Sequence, residues 1–374
     1  KFVLAIITLI IPTHITLLGN TASANQTHNP RTPAGIGNSS ISTGPDFNGD
    51  GYEDIPVGSS GKLHGGVVGA GAVSILYGPD PRFSTPDYFH QGTSGIVGSN
   101  ERNDHWGHET HHGDFNGDGY DDLAISAPDE DIRSVTNAGG LWVLYGSSSG
   151  LTASDSWAFN QGTSKIPGIN EIGDRWGESL TSGDFDGDGF DDLIIGVPQE
   201  DVGNIEDAGV IVILYGSLNG LGHLRSRGFS QGSLGIPGSN EVGDEWGKVL
   251  ASNDFNGDQY DDLIIGTPNE SIGSIDNAGA FTVIYGSSEG LTSNNSKLFH
   301  QGTPNIPSGS EIGDRWGKVI TTGDFNHDGF ADIAVGSPYE DIGPKTNAGS
   351  ITLLYGTSNG ISATNSKLLH QGSS

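Results

Sequence analysis

The chain has 374 residues, and 16 Lys and Arg against 46 Asp and Glu give it a formal net charge of −30. This strongly negative charge excludes nucleic acid as the natural partner, because phosphate binding needs clustered cations. The absence of cysteine excludes a disulfide framework, a thiolate zinc site and a cysteine nucleophile. With 61 glycines and only 33% hydrophobic residues, the composition favours an all-β chain with many tight turns.

The first 24 residues are predicted to be a signal peptide. An apolar run over residues 2–11 follows a positively charged start, and Ala22-Ser23-Ala24 forms a small-residue cleavage site. The alternatives are a membrane anchor or a buried strand, and the anchor is disfavoured because so short a run cannot cross a bilayer as a helix. We therefore expect a secreted, extracellular chain with no membrane span in its mature form, beginning with a polar linker over residues 25–35.

The remainder, residues 36–374, is a tandem repeat. A D-x-[DN]-x-D nonapeptide opens at five aspartates spaced 68, 70, 70 and 70 residues apart, namely Asp46, Asp114, Asp184, Asp254 and Asp324. Gln-Gly pairs recur in the same register, starting at Gln91, Gln161, Gln231, Gln301 and Gln371. A fixed period of this kind is typical of propellers and solenoids. The predicted units are 36–92, 104–162, 174–232, 244–302 and 314–372.

Four strands are predicted within each unit from apolar alternation and turn residues. In the third copy they are Trp176–Ser182, Asp192–Gly196, Gly209–Tyr215 and a short last strand that ends near Gln231. No segment shows a sustained helical period, which excludes a sheet with helical crossovers. Four-stranded units arrayed radially are the blades of a β-propeller, so the predicted fold class is an all-β propeller with five visible blades.

Each nonapeptide is predicted to bind one Ca²⁺. Oxygen side chains at positions 1, 3, 5 and 9 and the carbonyl of position 7 can wrap a hard cation, and glycine at position 6 permits the sharp turn. The lack of Cys and His ligands favours Ca²⁺ over zinc. The predicted ligands are Asp46, Asn48, Asp50, Tyr52 and Asp54; Asp114, Asn116, Asp118, Tyr120 and Asp122; Asp184, Asp186, Asp188, Phe190 and Asp192; Asp254, Asn256, Asp258, Tyr260 and Asp262; and Asp324, Asn326, Asp328, Phe330 and Asp332.

The alternative is a turn that needs no metal, since Asp, Asn and Gly favour turns on their own. Five copies that each cluster like charges argue against it, because without a cation those carboxylates would repel one another. Two copies depart from the pattern. The fourth has Gln259 at position 6, where a side chain disfavours positive φ, and we expect its site to be the weakest. The fifth has His327 at position 4, which we expect to point outward.

The repeated unit resembles the FG-GAP repeats of the integrin alpha-chain N-terminal β-propeller and of related secreted bacterial proteins. The proline element stands at 125–128, 195–198, 265–268 and 335–338, and the FG element is Trp-Gly at Trp106, Trp176, Trp246 and Trp316. The first copy lacks both, having Asn38-Ser39 and Val57–Ser60 instead. The resemblance implies a calcium-stabilised propeller used in adhesion or ligand binding, or as an accessory to an enzyme.

The same resemblance implies a closed ring of seven blades, of which five are visible. The sequence stops just after the fifth Gln-Gly pair and lacks an initiator Met, so we expect a fragment of a longer reading frame. The alternative is a genuine ring of five blades. An open array would leave the outward faces of its first and last blades uncovered, which favours association.

Three other features have competing interpretations. The repeated Trp residues are predicted to pack at strand starts, although they could instead form a sugar platform. Trp142 is expected to pack between blades, and Trp157 is a candidate for a contact with a partner at the surface.

His108-Glu109-Thr110-His111-His112 matches the H-E-x-x-H zinc signature. That motif needs a helix to bring its histidines together, whereas the repeat register places this segment on a strand.

Two functions are compatible with the sequence. The first is a secreted binding module that mediates cell adhesion or binds an extracellular protein or glycan through loops such as Asp129–Asp131 and Gln199–Asp201. The second is an accessory or catalytic propeller of a larger extracellular hydrolase, phospholipase-like or glycan-acting. Every acidic cluster repeats with the blades, whereas an active site usually occurs once. We therefore expect a binding module, not an enzyme.

Overall fold

Five antiparallel sheets follow one another along the chain in the computed structural model, which describes residues 44–78 and 86–372. The predicted signal peptide, the linker and Asn38-Ser39 lie outside the described residues. Within those residues the first sheet has three strands, and each of the other four has four. The all-β prediction is confirmed.

The strands of each sheet are neighbours in sequence order, as expected for blades. The first sheet contains β1 (Ile55–Gly58), β2 (Val73–Leu76) and β3 (Asp87–Phe89). The second contains β4 (Thr110–Gly113), β5 (Asp122–Ala127), β6 (Gly140–Tyr145) and β7 (Thr152–Phe159). The third contains β8 (Ser179–Gly183), β9 (Asp192–Val197), β10 (Val210–Tyr215) and β11 (Gly222–Phe229). The fourth contains β12 (Val249–Asn253), β13 (Asp262–Thr267), β14 (Ala280–Tyr285) and β15 (Thr292–Phe299), and the fifth contains β16 (Val319–Gly323), β17 (Asp332–Ser337), β18 (Ser350–Tyr355) and β19 (Ser362–Leu369).

The apolar pattern of the third copy explains the position of its strands in the sheet. Leu193, Ile194 and Ile195 of β9 are all fully buried, so this strand is covered on both faces, as a continuous apolar run predicts. The outermost strand β11 is mostly exposed and polar. Two predicted boundaries were wrong. The first strand starts at Ser179, because residues 176–178 form a turn, and the fourth strand is eight residues long instead of short.

The innermost strands β4, β8, β12 and β16 pack against one another in sequence order around a common axis. Side-chain hydroxyls link them: Ser182 Oγ donates to the carbonyl of His112 at 2.5 Å, and Ser252 Oγ donates to the carbonyl of Ser182 at 2.5 Å. The same register therefore repeats around the axis, and equivalent residues of successive blades become neighbours.

The hydrophobic core lies between successive sheets. One cluster combines Phe115 and Val143 of the second sheet with Trp176, Ile195 and Val212 of the third. The four repeated Trp residues are fully buried, which confirms their packing role, and Trp142 is buried as well. The Trp142 indole donates to the carbonyl of Val97 at 2.7 Å. Trp157 is 50% exposed and stacks on Phe159.

The two terminal sheets each leave an apolar face open. Phe325 of the fifth copy is 43% exposed, whereas its equivalent Phe185 is fully buried, and Ile55 of the first copy is 50% exposed against 0% for its equivalent Leu193. A closed ring is not seen among the described residues, so the total of seven blades stays a prediction.

Residues 44–78 and 86–372 form strands and turns only, and they contain no helix of the length and apolarity that crossing a membrane would require.

Candidate metal centre

The third nonapeptide shows how the backbone builds the acidic loop. Asp184 directly follows β8, and Asp192 opens β9, so the loop joins the first two strands of the blade. The Asp184 carboxylate accepts the amide of Asp188 at 3.1 Å and that of Gly189 at 3.0 Å, which closes the turn around one side chain. The amide of Phe190 donates to Asp188 Oδ1 at 3.2 Å. The loop geometry is therefore set by its own carboxylates.

This turn brings three carboxylates together. Ligand oxygens of Asp184, Asp186 and Asp188 all lie within 4.8 Å of one another. Burial raises the pKa of Asp184 and of Asp188, and the charge of Asp186 raises both further. A cation among these oxygens would stabilise the charged carboxylates against both burial and their mutual repulsion. The donor set therefore fits a hard divalent metal ion.

The other four loops have the same hydrogen bonds. The position-1 carboxylate accepts the amides of positions 5 and 6 in every copy, at distances between 2.8 and 3.2 Å, through Asp46, Asp114, Asp254 and Asp324. Positions 3 and 5 are Asn48 and Asp50, Asn116 and Asp118, Asn256 and Asp258, and Asn326 and Asp328. The amide of position 7 donates to the position-5 carboxylate in each copy, from Tyr52, Tyr120, Tyr260 and Phe330. The ligand roles of these residues stay predictions.

The position-9 aspartate ties each loop to the sheet. Asp192 is fully buried, and its two oxygens accept the amides of Phe185 at 3.2 Å and Gly216 at 2.9 Å. Asp54, Asp122, Asp262 and Asp332 accept the equivalent pair of amides. Burial raises the pKa of Asp122 to about 8, and nearby carboxylates add to the shift. These carboxyls therefore hold the loop and the third strand together.

Positions 4 and 6 of the loop both have positive φ. In the third loop they are Gly187 (φ 70°) and Gly189 (φ 88°). Gln259 adopts φ 75° at position 6 and still donates its amide to Asp254 at 2.9 Å, so the fourth loop keeps its shape despite the side chain. His327 adopts φ 62° at position 4, a constraint that the sequence pattern alone did not reveal. Both non-glycine residues add backbone strain to their loops.

A functional position that the sequence reasoning missed is position 8. Asp191 Oδ2 accepts the amide of Asp114 at 2.8 Å, and Asp261 Oδ2 accepts that of Asp184 at 3.0 Å. Each contact joins the position-8 carboxylate of one blade to the first residue of the preceding loop, and Asp121 does the same for Asp46. Neighbouring loops are thus connected directly. The feature of the sequence that could have identified position 8 is the recurrence of aspartate there in three copies.

Arg225 is a second missed residue. It lies on the outermost strand β11, and its guanidinium donates to Asp186 Oδ2 at 2.7 Å. The third loop is the one with aspartate at position 3, where the other copies have asparagine. At the register of Arg225 the next two blades have Asn295 and Asn365. The added negative charge of this loop is therefore matched by an added cation.

The H-E-x-x-H segment does not form a zinc site. His112 lies on strand β4, His108 precedes that strand, and the described residues include no helix that could place both on one face. His108 Nε2 faces Glu178 at 3.9 Å, whereas His112 Nδ1 faces Asp121 at 3.9 Å. Each histidine thus has its own carboxylate partner.

A family model decides the classification of the chain. The model for the FG-GAP repeat matches residues 37–76, 106–144, 176–214, 246–284 and 316–354. The chain belongs to the FG-GAP repeat family. The resemblance inferred from the Trp-Gly and proline elements is thereby confirmed, and the sheets described above are FG-GAP blades.

Relatives of this FG-GAP chain include phospholipases D and integrin alpha chains. A phosphatidylinositol-glycan-specific phospholipase D of Dictyostelium discoideum is 31% identical over 186 residues, which are 48% of this chain and 19% of the relative. Integrin alpha-PS2 of Drosophila melanogaster is 30% identical over 230 residues, which are 60% of this chain and 14% of the relative. The matched stretch is therefore less than a fifth of either relative.

Among solved structures, a rhamnogalacturonan lyase of Bacillus licheniformis aligns with 82% of this chain and 63% of its own chain. The identity is 11% and the TM-score is 0.36. This similarity is too low to bear on function.

Proposed function

We propose that this FG-GAP chain is an extracellular binding module whose blades are stabilised by Ca²⁺ bound in the nonapeptide loops. The observation that carries the proposal is the convergence of the Asp184, Asp186 and Asp188 oxygens within 4.8 Å, on a backbone turn that repeats in five copies. The predicted export signal supports an extracellular location, where calcium is abundant. All proposed ligands are oxygen atoms, the ligand type that calcium prefers.

Binding of a partner is assigned to the opposite end of the blades. Strand β8 separates Glu178 at its start from Asp184 at its end, and five residues of strand span about 16 Å. The loops between the second and third strands, such as Asp129–Asp131, share the end of Glu178 and are acidic and exposed in part. Loops on a rigid sheet scaffold are the usual positions of recognition residues. The proposed partner is an extracellular protein or glycan.

A second candidate function is that of an accessory or catalytic propeller in a larger extracellular hydrolase. The observation that favours it is the similarity to a phospholipase D, of which this chain covers less than a fifth. Against catalysis, the acidic clusters recur in each blade, whereas an active site usually occurs once. A screen of phosphodiester and glycoside substrates in calcium buffer separates the two. Turnover that one substitution abolishes would replace our proposal.

Direct calcium binding tests the proposed function. Residues 25–374, freed of divalent ions with a chelator, are titrated with Ca²⁺ in a calorimeter. We expect up to five sites, with dissociation constants of about 10⁻⁴–10⁻³ M as in other extracellular modules. Asp184→Ala should remove one site, whereas His108→Ala, outside the loops, should remove none. Titration heats equal to those of buffer alone would contradict the proposal.

A further inference from the structure

A cavity of about 490 Å³ lies at the axis of the blades, at the end opposite the nonapeptide loops. It is lined by residues that stand at the start of the innermost strands, among them Glu178 before β8 and Lys318 before β16. Its volume falls in the range of small-molecule sites, about 300–1,000 Å³. The cavity is therefore large enough for a ligand of one or two sugar rings.

The walls of this axial cavity differ in charge. The second and third blades contribute Glu109 and Glu178 to its lining, the fourth contributes Glu245, and the fifth contributes Arg315 and Lys318. Lys248 also lines it, but its ammonium pairs with Glu245 at 2.6 Å. Among the described residues, Arg315 and Lys318 form no ion pair, and both lie instead against the ring of Tyr339, at 5.8 and 5.2 Å from its centroid. Two neighbouring cations thus lack a carboxylate in a chain of net charge −30.

In the third blade, the arginine at the position equivalent to Arg315 forms ion pairs with carboxylates. Arg175 is the equivalent of Arg315 two blades earlier, and its guanidinium is neutralised on both sides. It pairs with Asp129 of the preceding blade and with Glu178 at 2.9 Å. Around Arg315 these two carboxylates are replaced by Asn269 and Lys318. These two differences between the blades therefore leave Arg315 without the ion pairs that Arg175 forms, and they place a second cation, Lys318, beside it.

An anion in the axial cavity would supply the missing charge. A guanidinium binds a carboxylate through two parallel hydrogen bonds, and Lys318 adds a point charge beside it. Glu109 and Glu178, which line the same cavity from the second and third blades, can accept hydrogen bonds from hydroxyl groups, but they would repel a compact anion that filled the cavity. The cationic and the acidic parts of the lining together suit a ligand that carries both a carboxylate and hydroxyl groups.

We propose that the axial cavity is a binding site for an acidic sugar, with Arg315 and Lys318 holding the carboxylate and Glu109 and Glu178 accepting from the hydroxyls. This inference rests on the proposed binding function and narrows its partner to a glycan that contains uronic acid. For such a glycan, the proposed contact moves from the loops that include Asp129–Asp131 to the axial cavity at the same end, because those acidic loops would repel a polyanionic glycan.

The test is calorimetric binding of digalacturonate and diglucuronate to residues 25–374 in calcium. The methyl esters of the same disaccharides are the neutral controls, and aspartate is the carboxylate without a sugar. We expect the free acids to bind at least about tenfold more tightly than the esters or aspartate. No binding of the acids at about 10 mM, or equal binding of the esters or of aspartate, would overturn the assignment.

The repeat provides a variant that should fold. Asn269→Asp combined with Lys318→Glu recreates around Arg315 the arrangement that the chain already has around Arg175, and we expect it to abolish uronate binding. Asn294→Asp combined with Lys367→Glu changes the net charge equally on exposed outer strands, and should bind uronate as the unmodified chain does. Uronate binding retained by the first variant, or lost equally in the second, would contradict the inference.

The inference and the proposed function can fail separately. The calcium dependence of the melting temperature is recorded on the same samples, because the nonapeptide loops lie at the other end of the innermost strands from the cavity. A normal calcium response without uronate binding would overturn the sugar site alone. Uronate binding without a calcium response would instead overturn the calcium part of the proposed function.

Discussion

The ring of Tyr260 lies over Gly187 of the preceding blade, so that a Cβ on Gly187 would stand 2.5 Å from Cε1 of the tyrosine. Phe190 has the same relationship to Gly117, also at 2.5 Å. The position-7 aromatic of each loop therefore closes over the position-4 glycine of the loop before it. In the fifth loop, His327 occupies position 4, and the described residues include no following blade whose aromatic would meet it.

This contact predicts that the two glycines of the third loop differ in their tolerance of alanine. Both have positive φ, and a Cβ on Gly189 meets nothing within 4 Å. Gly189→Ala should therefore cost only the backbone strain, about 1 kcal/mol of the free energy of unfolding. Gly187→Ala should cost a further 1–3 kcal/mol, roughly, because the Tyr260 ring must move. Urea denaturation in calcium measures both, and equal losses would contradict the contact.

The fourth loop should improve when its strain is removed. Gln259 adopts φ 75°, a conformation that glycine reaches without cost. We expect Gln259→Gly to lower the dissociation constant for Ca²⁺ at this loop by about threefold to tenfold, which corresponds to roughly 1 kcal/mol of strain. For the same reason, Asp184→Ala should lower the melting temperature in calcium more than Asp254→Ala. If Gln259→Gly leaves calcium affinity unchanged, the strain does not limit binding.

Arg225 is expected to weaken calcium binding at the third loop. Its guanidinium holds Asp186 and lies near Asp188, and a cation beside the loop repels Ca²⁺. Arg225→Asn should therefore tighten binding by several fold and lower the melting temperature of the calcium-free chain. Calcium titration followed through the amide resonance of Gly189 reports on this loop alone. Arg227→Asn, on the same strand, is the control, and an equal change in that variant would refute the role of Arg225.

The sequence alone predicted those features of the fold that depend on contacts within a single blade. The period of 70 residues identified the blades, and the apolar run around Ile194 identified a buried central strand. The nonapeptides likewise identified the acidic loops. Their turn depends on contacts over a few residues, such as the amide of Gly189 with Asp184, so a local pattern suffices.

The contacts between blades could not be predicted in the same way. Asp191 reaches Asp114 across 77 residues, and a repeat pattern shows that both positions recur without showing that they meet. The pairing depends on the angle between successive sheets, which is set by packing. The departures at Asn269 and Lys318 were visible in the sequence, but their joint effect on Arg315 required the positions of three blade segments.

A buried amide–carboxyl pair predicts an effect of pH on stability. Gln161 Nε2 donates to Glu200 at 2.7 Å, and Gln161 Oε1 is buried without a partner among the described residues. Burial raises the pKa of Glu200 to about 7, and the charges of Asp174, Glu171 and Asp201 add to the shift, from a usual value of 4.5. Between these values the folded chain binds more protons than the unfolded chain, so the free energy of unfolding falls as pH rises.

Glu200→Gln should remove this dependence, because the amide carries no charge and can also donate to Gln161 Oε1. We expect the variant to melt at a higher temperature than the unmodified chain near pH 8, and at a similar temperature near pH 5. Thermal denaturation at both values in saturating calcium measures the difference. Glu206→Gln, at an exposed position, should show no such difference. A Glu200→Gln variant less stable near pH 8 would show that the ionised pair is favourable.

The central claim is that calcium is part of the fold, and the melting temperature with and without a chelator tests it most directly. Five Ca²⁺ would change the formal net charge from −30 to −20. At about 2 mM calcium and a dissociation constant of about 0.1 mM, each site adds roughly 1.8 kcal/mol, a large share of the 5–15 kcal/mol typical of a domain. We predict that EGTA lowers the melting temperature strongly and that Ca²⁺ restores it better than Mg²⁺. A melting curve that is indifferent to EGTA would contradict the account.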